Sequence, residues 1–386
     1  MIEPLQNLWN KKKLIVAGLM SGTSMDGVDV VITELSGSGM ETKWEIKYFN
    51  SYQFENNLRE QILNSIEGGA EAVCRLNFDL GKVFAESLGK AIAESGISPS
   101  DLDLIGSHGQ TVYHVDGHSS LQVGEASVLA ETFSVPVIAD FRVRDIAAGG
   151  SGAPLVPYVD FLLFGKSGGK LLLNLGGIAN FTTIPSPCNS LGDINAWDTG
   201  PANMLMDLAA GSISNGSQRF DRDGLYASAG TVNSSWLEEL MAHPFISKPP
   251  PKSTGREDFG PVYFSSLINK FEIESEENKH DLIATLTRFT AESIKLNFDE
   301  NVRSDSGITE VIASGGGASN PVLMEHLSSL FSPMKVNKID EYDINSDAKE
   351  AFAFAILANE FITGRNSNVP EVTGASKHVL LGKLTI

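Results

Sequence analysis

The chain of 386 residues carries 48 acidic against 29 basic side chains, a formal net charge of -19, with 42% hydrophobic and 20% charged residues. That balance describes an ordinary globular protein and excludes a nucleic-acid binder, which needs a basic surplus to neutralise phosphates. The length predicts two domains; Cys74 and Cys188 give no disulfide framework, and no run has signal-peptide or membrane-spanning length, so a cytoplasmic enzyme without a membrane partner is expected.

Strands are predicted over "LIVAGLM", "GVDVVITEL" and "KWEIKYFN", each rich in β-branched or aromatic residues and separated by glycine-rich turns. Leu76, Leu80, Val83, Leu88 and Ile92 then recur at helical spacing. "DLDLIGSHGQTVYH" reads as a buried strand running into a polar loop, and "PVIADFRVRDIA" as a further strand. From Lys170 the same order returns in "KLLLNLGG", "IANFTTI" and "INAWDTG", followed by the helix "DLIATLTRFTAESI". "EVIASGGG" is a strand leading into the helix "NPVLMEHLSSLF", with Pro321 in its first turn. "DAKEAFAFAILANEFI" stacks Ala351, Phe354, Ala355, Ala358 and Ile362 on one helical side, and "KHVLLGKLTI" is a closing strand. An α/β unit is thus predicted twice. The first lobe spans residues 1–140 and the second 141–371, facing across a cleft, with residues 372–386 returning to the first.

Each unit opens with a glycine-rich hairpin. In "GLMSGTSMDG" the inward backbone N–H groups of a tight hairpin make a concavity for anions, and glycine lets the backbone approach closely. Ser21, Thr23 and Ser24 add hydroxyl donors, while Asp26 is placed to hold Mg2+ alongside phosphates. "NLGGIAN" (Asn174 to Asn180) mirrors this hairpin, and "SGGGASNP" (Ser314 to Pro321) sits between a strand and a helix, suited to a nucleoside. Three such loops together favour nucleotide phosphates over decorated turns. Neither a P-loop nor a dinucleotide G-x-G-x-x-G is present. "GKSGG" (Gly165 to Gly169) matches a nucleophile elbow, but it precedes a strand and is read as a surface turn.

Asp198 ends the predicted strand of "AWDTGPANMLMD". Two roles stay open for it: cap of the following helix, or general base on a hydroxyl or water. "GSHGQTVYH" offers His108, Gln110 and Thr111 to an acceptor pocket, with His114 expected to be structural. Asp140, Arg142, Arg144 and Asp145 divide between pocket and support, and "PPKSTGRE", with Lys252 and Arg256, is expected to be a lid. No His/Cys group has zinc spacing.

"GLMSGTSMDGVD", "GSHGQTVYH", "DFRVRDIAAGGSGAPLVP", "NLGGIANFT", "WDTGPANMLMD" and "PPKSTGRE" follow one another along nearly the whole chain. In that order they resemble the anhydro-N-acetylmuramic acid kinase family. The resemblance implies a duplicated α/β, actin/hexokinase-like (ribonuclease H-like) two-domain ATPase fold. It also implies conversion of 1,6-anhydro-N-acetylmuramic acid, ATP and water to N-acetylmuramic acid 6-phosphate and ADP in peptidoglycan recycling, with Mg2+ as cofactor. By the same resemblance Gly22, Thr23, Ser24, Met25, Asp26, Gly27, Val28 and Asp29 lie on the ATP phosphates, joined by Asn174, Gly176 and Gly177. Gly315, Gly316, Gly317 and Asn320 then lie near the adenosine, and Asp198 takes the proton of the water that attacks the anomeric carbon. His108, Gln110, Thr111, Arg142, Asp145, Thr199, Asn203 and Glu350 are the candidate sugar contacts, and a homodimer is expected. Ser151, Ser319 and Trp197 depart from the family's usual glutamine, arginine and Tyr or Phe. A kinase of this fold for another sugar, and a non-catalytic actin-like nucleotide-binding module, stay in competition.

Overall fold

The computed structural model describes residues 3–22, 25, 27–273 and 275–386, so Thr23, Ser24 and Asp26 of the first glycine loop lie outside the described residues. The chain divides into two units, residues 1–163 with 348–386, and residues 164–347.

In the first unit, β1 (Leu14–Ser21), β2 (Gly27–Ser36) and β3 (Lys43–Gln53) form an antiparallel meander. Next come β4 (Leu102–Val115), parallel to β1, and its hairpin partner β5 (Ser119–Val123). β6 (Val137–Ala139) runs parallel to β4. The helices preceding the second unit are α1 (Glu3–Asn10), α2 (Asn56–Glu67), α3 (Ala70–Ser95), α4 (Ala126–Phe133), α5 (Val143–Ala147) and α6 (Val156–Phe164). Of the predicted stripe of α3, Leu76, Leu80, Leu88 and Ile92 are buried in one core with Leu19, Val30, Ile32 and Ile105; Val83 is only partly buried, and Phe84 fills the place beside it.

The second unit repeats the plan. β7 (Gly169–Leu175), β8 (Ile178–Ile184) and β9 (Asn195–Pro201) form the meander. After α7 (Asn203–Ile213), α8 (Leu225–Ala229), α9 (Ser234–Met241), α10 (Arg256–Phe259), α11 (Pro261–Lys270) and α12 (Glu276–Asn301) comes β10 (Ile308–Ser314), parallel to β7. Then α13 (Pro321–Phe331) leads to β11 (Lys335–Lys338), parallel to β10. Leu282, Leu286 and Phe289 of α12 are buried with Leu171, Leu173 and Phe181. The chain then returns to the first unit as α14 (Lys349–Ile362), α15 (Pro370–Thr373) and β12 (Lys383–Thr385), which pairs with β6.

The sheet orders are β3-β2-β1-β4-β6-β12 and β9-β8-β7-β10-β11. Each has its second strand antiparallel and its fourth and fifth parallel to the first, which is the ribonuclease H-like topology. The duplication read from the sequence is therefore present in five strands of each sheet, while β5 and β12 of the first have no counterpart in the second.

Three expectations change. The unit boundaries fall after residues 163 and 347, where 140 and 371 were expected. The second of these is set by α14, buried from Ala351 to Glu360. Its backbone approaches β1 and β4 so closely that a Cβ on Gly18 would lie 1.9 Å from the Ala351 carbonyl oxygen, and one on Gly106 2.2 Å from that of Phe354. Gly18 thus belongs to helix packing and not to the phosphate loop. "GSHGQTVYH" is strand, because β5 pairs with it from Gln110 to Val115 and satisfies its backbone. The strands expected in "PVIADFRVRDIA" and "KHVLLGKLTI" shrink to Val137–Ala139 and Lys383–Thr385; Asp140 turns out of the first with φ +54°, and the chain enters α5.

Candidate active site

Asp198 lies on β9 in register with Asn180 of β8, which is in register with Asn174 of β7 and through it with Ser314 of β10. Directly paired residues point to one face of a sheet, so these four form a polar row. Thr199 points the other way, fully buried, and its hydroxyl donates to the Ala179 carbonyl oxygen (3.1 Å). Trp197 does likewise, meeting Phe181 edge to face at 4.7 Å between ring centroids.

The Asp198 carboxylate is held from one side. Its Oδ2 accepts from the Ser253 hydroxyl (2.9 Å) and the Thr254 backbone N–H (2.9 Å). Its own N–H donates to the Lys252 carbonyl oxygen (3.2 Å). Among the described residues Oδ1 has no hydrogen-bond partner. Burial pushes the pKa of Asp198 above the usual aspartate value, partly opposed by those donors and by the Lys252 charge. Such a carboxylate is oriented and has one oxygen for a proton. The cap role is not taken, since the N-cap of α7 is Ala202.

The second glycine hairpin is braced by the start of α7. Ala202 and Met204 donate backbone N–H bonds to the Gly177 carbonyl oxygen (2.9 and 3.1 Å), and Asn203 donates to that of Gly176 (2.9 Å). The Asn203 side-chain amide donates to the Leu175 carbonyl oxygen (3.0 Å). Gly315, at φ +81°, brings the third loop against Asn174, where a Cβ would fall 2.7 Å from Oδ1. By contrast, Cβ atoms on Gly176 and Gly316 would meet nothing nearer than 3.6 Å; the Ile178 carbonyl oxygen and, at 3.8 Å, the Asn174 side-chain amide lie by the first and the Asn203 side-chain amide by the second. This is an open cradle edged by amide donors, the kind of space a polyphosphate fills. Asn320 spends its side-chain oxygen capping α13, accepting from Val322 and Leu323 N–H.

In the first unit the polar cluster is mostly framework. Gln110 is fully buried; its Oε1 accepts from Ser21 Oγ (2.6 Å) and its Nε2 donates to the Gly22 carbonyl oxygen (3.2 Å), which fixes the root of the first glycine loop. Met25 N–H closes a turn on Gly22, and Asp29 of β2 accepts from Ser51 Oγ. Thr111 Oγ1 accepts from Gln122. Asp145, fully buried, accepts from Asn368 (2.8 Å), Thr373 (2.8 Å) and Gly152 N–H (2.9 Å). The remaining residues of the cluster are His108, Arg142 and Glu350. His108 Nε2 accepts from Arg142 Nε (3.1 Å), which puts its proton on Nδ1 facing the Gly109 carbonyl oxygen. Burial, then Arg142, drives His108 well below the usual histidine pKa, so it is neutral. Burial lowers Arg142 to about 10 and raises the half-buried Glu350, and each of these two opposes the shift of the other.

Ser253, Thr254 and Asn180 escaped the sequence reading. Asn180 was visible as the end of "NLGGIAN", but the Ser253–Thr254 contact joins segments 55 residues apart and leaves no local signal.

Two sheets of ribonuclease H-like order, the second carrying an open glycine cradle and a one-sided carboxylate on neighbouring strands, give the fold class and a candidate site. Comparison narrows the class: the family described as anhydro-N-acetylmuramic acid kinase matches residues 14–386. A relative of that name from Caldanaerobacter subterraneus subsp. tengcongensis is 40% identical across 100% of both chains. One from Clostridioides difficile is 41% identical over 95% of this chain and 97% of its own, and one from Bacillus cereus 41% over 96% and 99%. The chain belongs to the anhydro-N-acetylmuramic acid kinase family. No helix among the described residues is long and apolar enough to cross a membrane.

Proposed function

We propose that the chain converts 1,6-anhydro-N-acetylmuramic acid, ATP and water to N-acetylmuramic acid 6-phosphate and ADP, with Asp198 as the base. The observation that carries this reading is the Asp198 carboxylate, tied through Oδ2 and bare at Oδ1. Oδ1 takes a proton from water, the water oxygen bonds to the anomeric carbon, and the bond from that carbon to O6 breaks. O6 then bonds to the γ-phosphorus as the bond to ADP breaks. The phosphoryl group thereby relieves the departing oxygen, so the second carboxylate of an ordinary glycosidase is not required. Positioning and charge neutralisation supply most of the remaining acceleration.

The nucleotide's phosphates are assigned to residues 22–29, Asn174, Gly176 and Gly177, and the adenosine to Gly315, Gly316, Gly317 and Asn320. Mg2+ accompanies the phosphates, with Asp26 as its protein ligand. The described residues hold no cluster of three metal-ligating side chains, and magnesium bound to phosphates needs only one or two carboxylates. His108, Arg142 and Glu350 are assigned to the sugar, while Gln110, Thr111, Asp145, Thr199 and Asn203 brace the surrounding backbone. The enzyme is further proposed to work in the cytoplasm as a homodimer, as the family resemblance implies.

The test is turnover in oxygen-18 water. Label is expected at the anomeric carbon of the product and absent from its phosphate. Product without anomeric label would overturn the water attack, and product from intact N-acetylmuramic acid alone would favour the other-sugar kinase.

A further inference from the structure

Lys252 sits where no ordinary lysine would. It is 6% exposed, and its ammonium donates to the carbonyl oxygens of Phe245 (3.0 Å) and Ile246 (2.9 Å) while lying 4.6 Å from the centroid of the Phe245 ring. Burying a lysine is costly unless something requires it there. The Ile246 carbonyl oxygen also accepts from Asn297 of α12, whose amide donates to the Thr199 carbonyl oxygen, one residue past Asp198. The Lys252 carbonyl oxygen accepts the Asp198 N–H, and the next two residues are the pair that donates to Oδ2. The segment 245–254 is therefore closed on itself by one amine and closed on β9 by three contacts to Asp198. Residues 249–257 were expected to be a lid; the contacts of Lys252, Ser253 and Thr254 within them point to an anchor instead.

We propose that Lys252 is a positioning residue for the base, pinning the Ser253–Thr254 pair onto Asp198 Oδ2 so that Oδ1 is presented in one orientation. The inference rests on the base assignment above and extends it to a residue that touches no substrate. The charged groups facing Lys252 are Glu300 of α12, Asp198 of β9 and Lys248 of its own segment; Asp198 also faces Glu257 of α10. Burial brings Lys252 down to about 8, and its positive charge holds Asp198 lower than burial alone would.

Three variants separate tether from charge: Lys252→Arg keeps both, Lys252→Gln keeps donors without charge, and Lys252→Met keeps neither. In Lys252→Gln the acid limb of kcat against pH is expected to move up by about half a pH unit or more, because an uncompensated carboxylate protonates earlier. Lys252→Met is expected to add a roughly 10- to 100-fold loss of kcat from misplacement of the base, with KM for ATP unchanged. Lys252→Arg is expected to restore the wild-type limb. A wild-type limb in Lys252→Gln together with normal kcat in Lys252→Met overturns the positioning role. Should the glutamine and methionine variants fail to fold, Ser253→Ala takes their place: loss of one donor to Oδ2 must raise the same limb, and an unmoved limb overturns the proposal. Asp198→Asn is measured in parallel. Inactive Asp198→Asn with unmoved limbs elsewhere rejects Lys252 alone, whereas active Asp198→Asn rejects the base and this inference with it.

Discussion

The two units share a strand order but use their polar residues in opposite ways. In the first, two buried carboxylates are consumed: Asp145 accepts three hydrogen bonds, and Glu360 accepts from the Tyr158 hydroxyl (2.7 Å) and Gly39 N–H (2.9 Å). The register row nearest its hairpin is Met20–Asp29–Ser51, with the acid on the middle strand and bonded to the neighbouring serine. In the second, the row Asn174–Asn180–Asp198 puts the acid on the outer strand with one oxygen left over. A saturated carboxylate is a fastener; an unsaturated one can exchange a proton. Duplicated architecture thus says little about where reactivity lies, and the count of donors at each acid says a great deal.

The sharpest way to break that comparison is to neutralise one acid in each unit. Asp198→Asn is expected to lower kcat by about 10³-fold while melting close to the wild type and still binding ATP. Asp145→Asn turns an acceptor toward three donors and is expected to cost about 3 kcal/mol of stability, with kcat per folded molecule retained. Denaturant titration and active-site-normalised turnover on both variants decide; equal behaviour would dissolve the distinction.

Glycines give a second contrast. Gly18→Ala drives a methyl into the Ala351 carbonyl oxygen and is expected to destabilise by about 2 kcal/mol. Gly316→Ala enters open space, so stability should change by less than about 0.5 kcal/mol. Its methyl would occupy the cradle, and KM for ATP should rise about tenfold, or ~1.4 kcal/mol. An unchanged KM would remove Gly316 from the nucleotide site.

The smallest effect concerns His108. Its pKa is depressed in the folded chain, so below the ordinary histidine value of 6.5 the unfolded chain binds the proton first. Stability is therefore expected to fall as pH drops from about 6.5 toward 5, by about 1 kcal/mol. Arg142, which donates to Nε2, loses its acceptor when the ring is charged. His108→Gln, measured by urea titration at both pH values, should flatten part of that slope.

Most of the duplicated scaffold was legible in the sequence because its signals are local. β-branched runs, glycine turns and the stripes of α3 and α12 sit within windows of a few turns. The strand character of "GSHGQTVYH" was hidden because its outward residues are polar and its partner β5 is short. The boundary at 347 was hidden because it depends on α14 reaching back across nearly 250 residues (Gly106 to Phe354) to two glycines. At the candidate site, Asp198 and the glycine loops were singled out by residue type alone. The structural duties of Gln110 and Asp145 did not, since Ser21, Asn368 and Thr373 are far off in the chain.

Because the second unit is a single uninterrupted insertion between residues 164 and 347, a ribosome delivers all five of its strands in one run. The first unit, in contrast, waits for α14 and β12 before its sheet is covered and its edge closed. During synthesis the second unit has all its strands available while the first still lacks the helix that covers its sheet and exposes apolar strands.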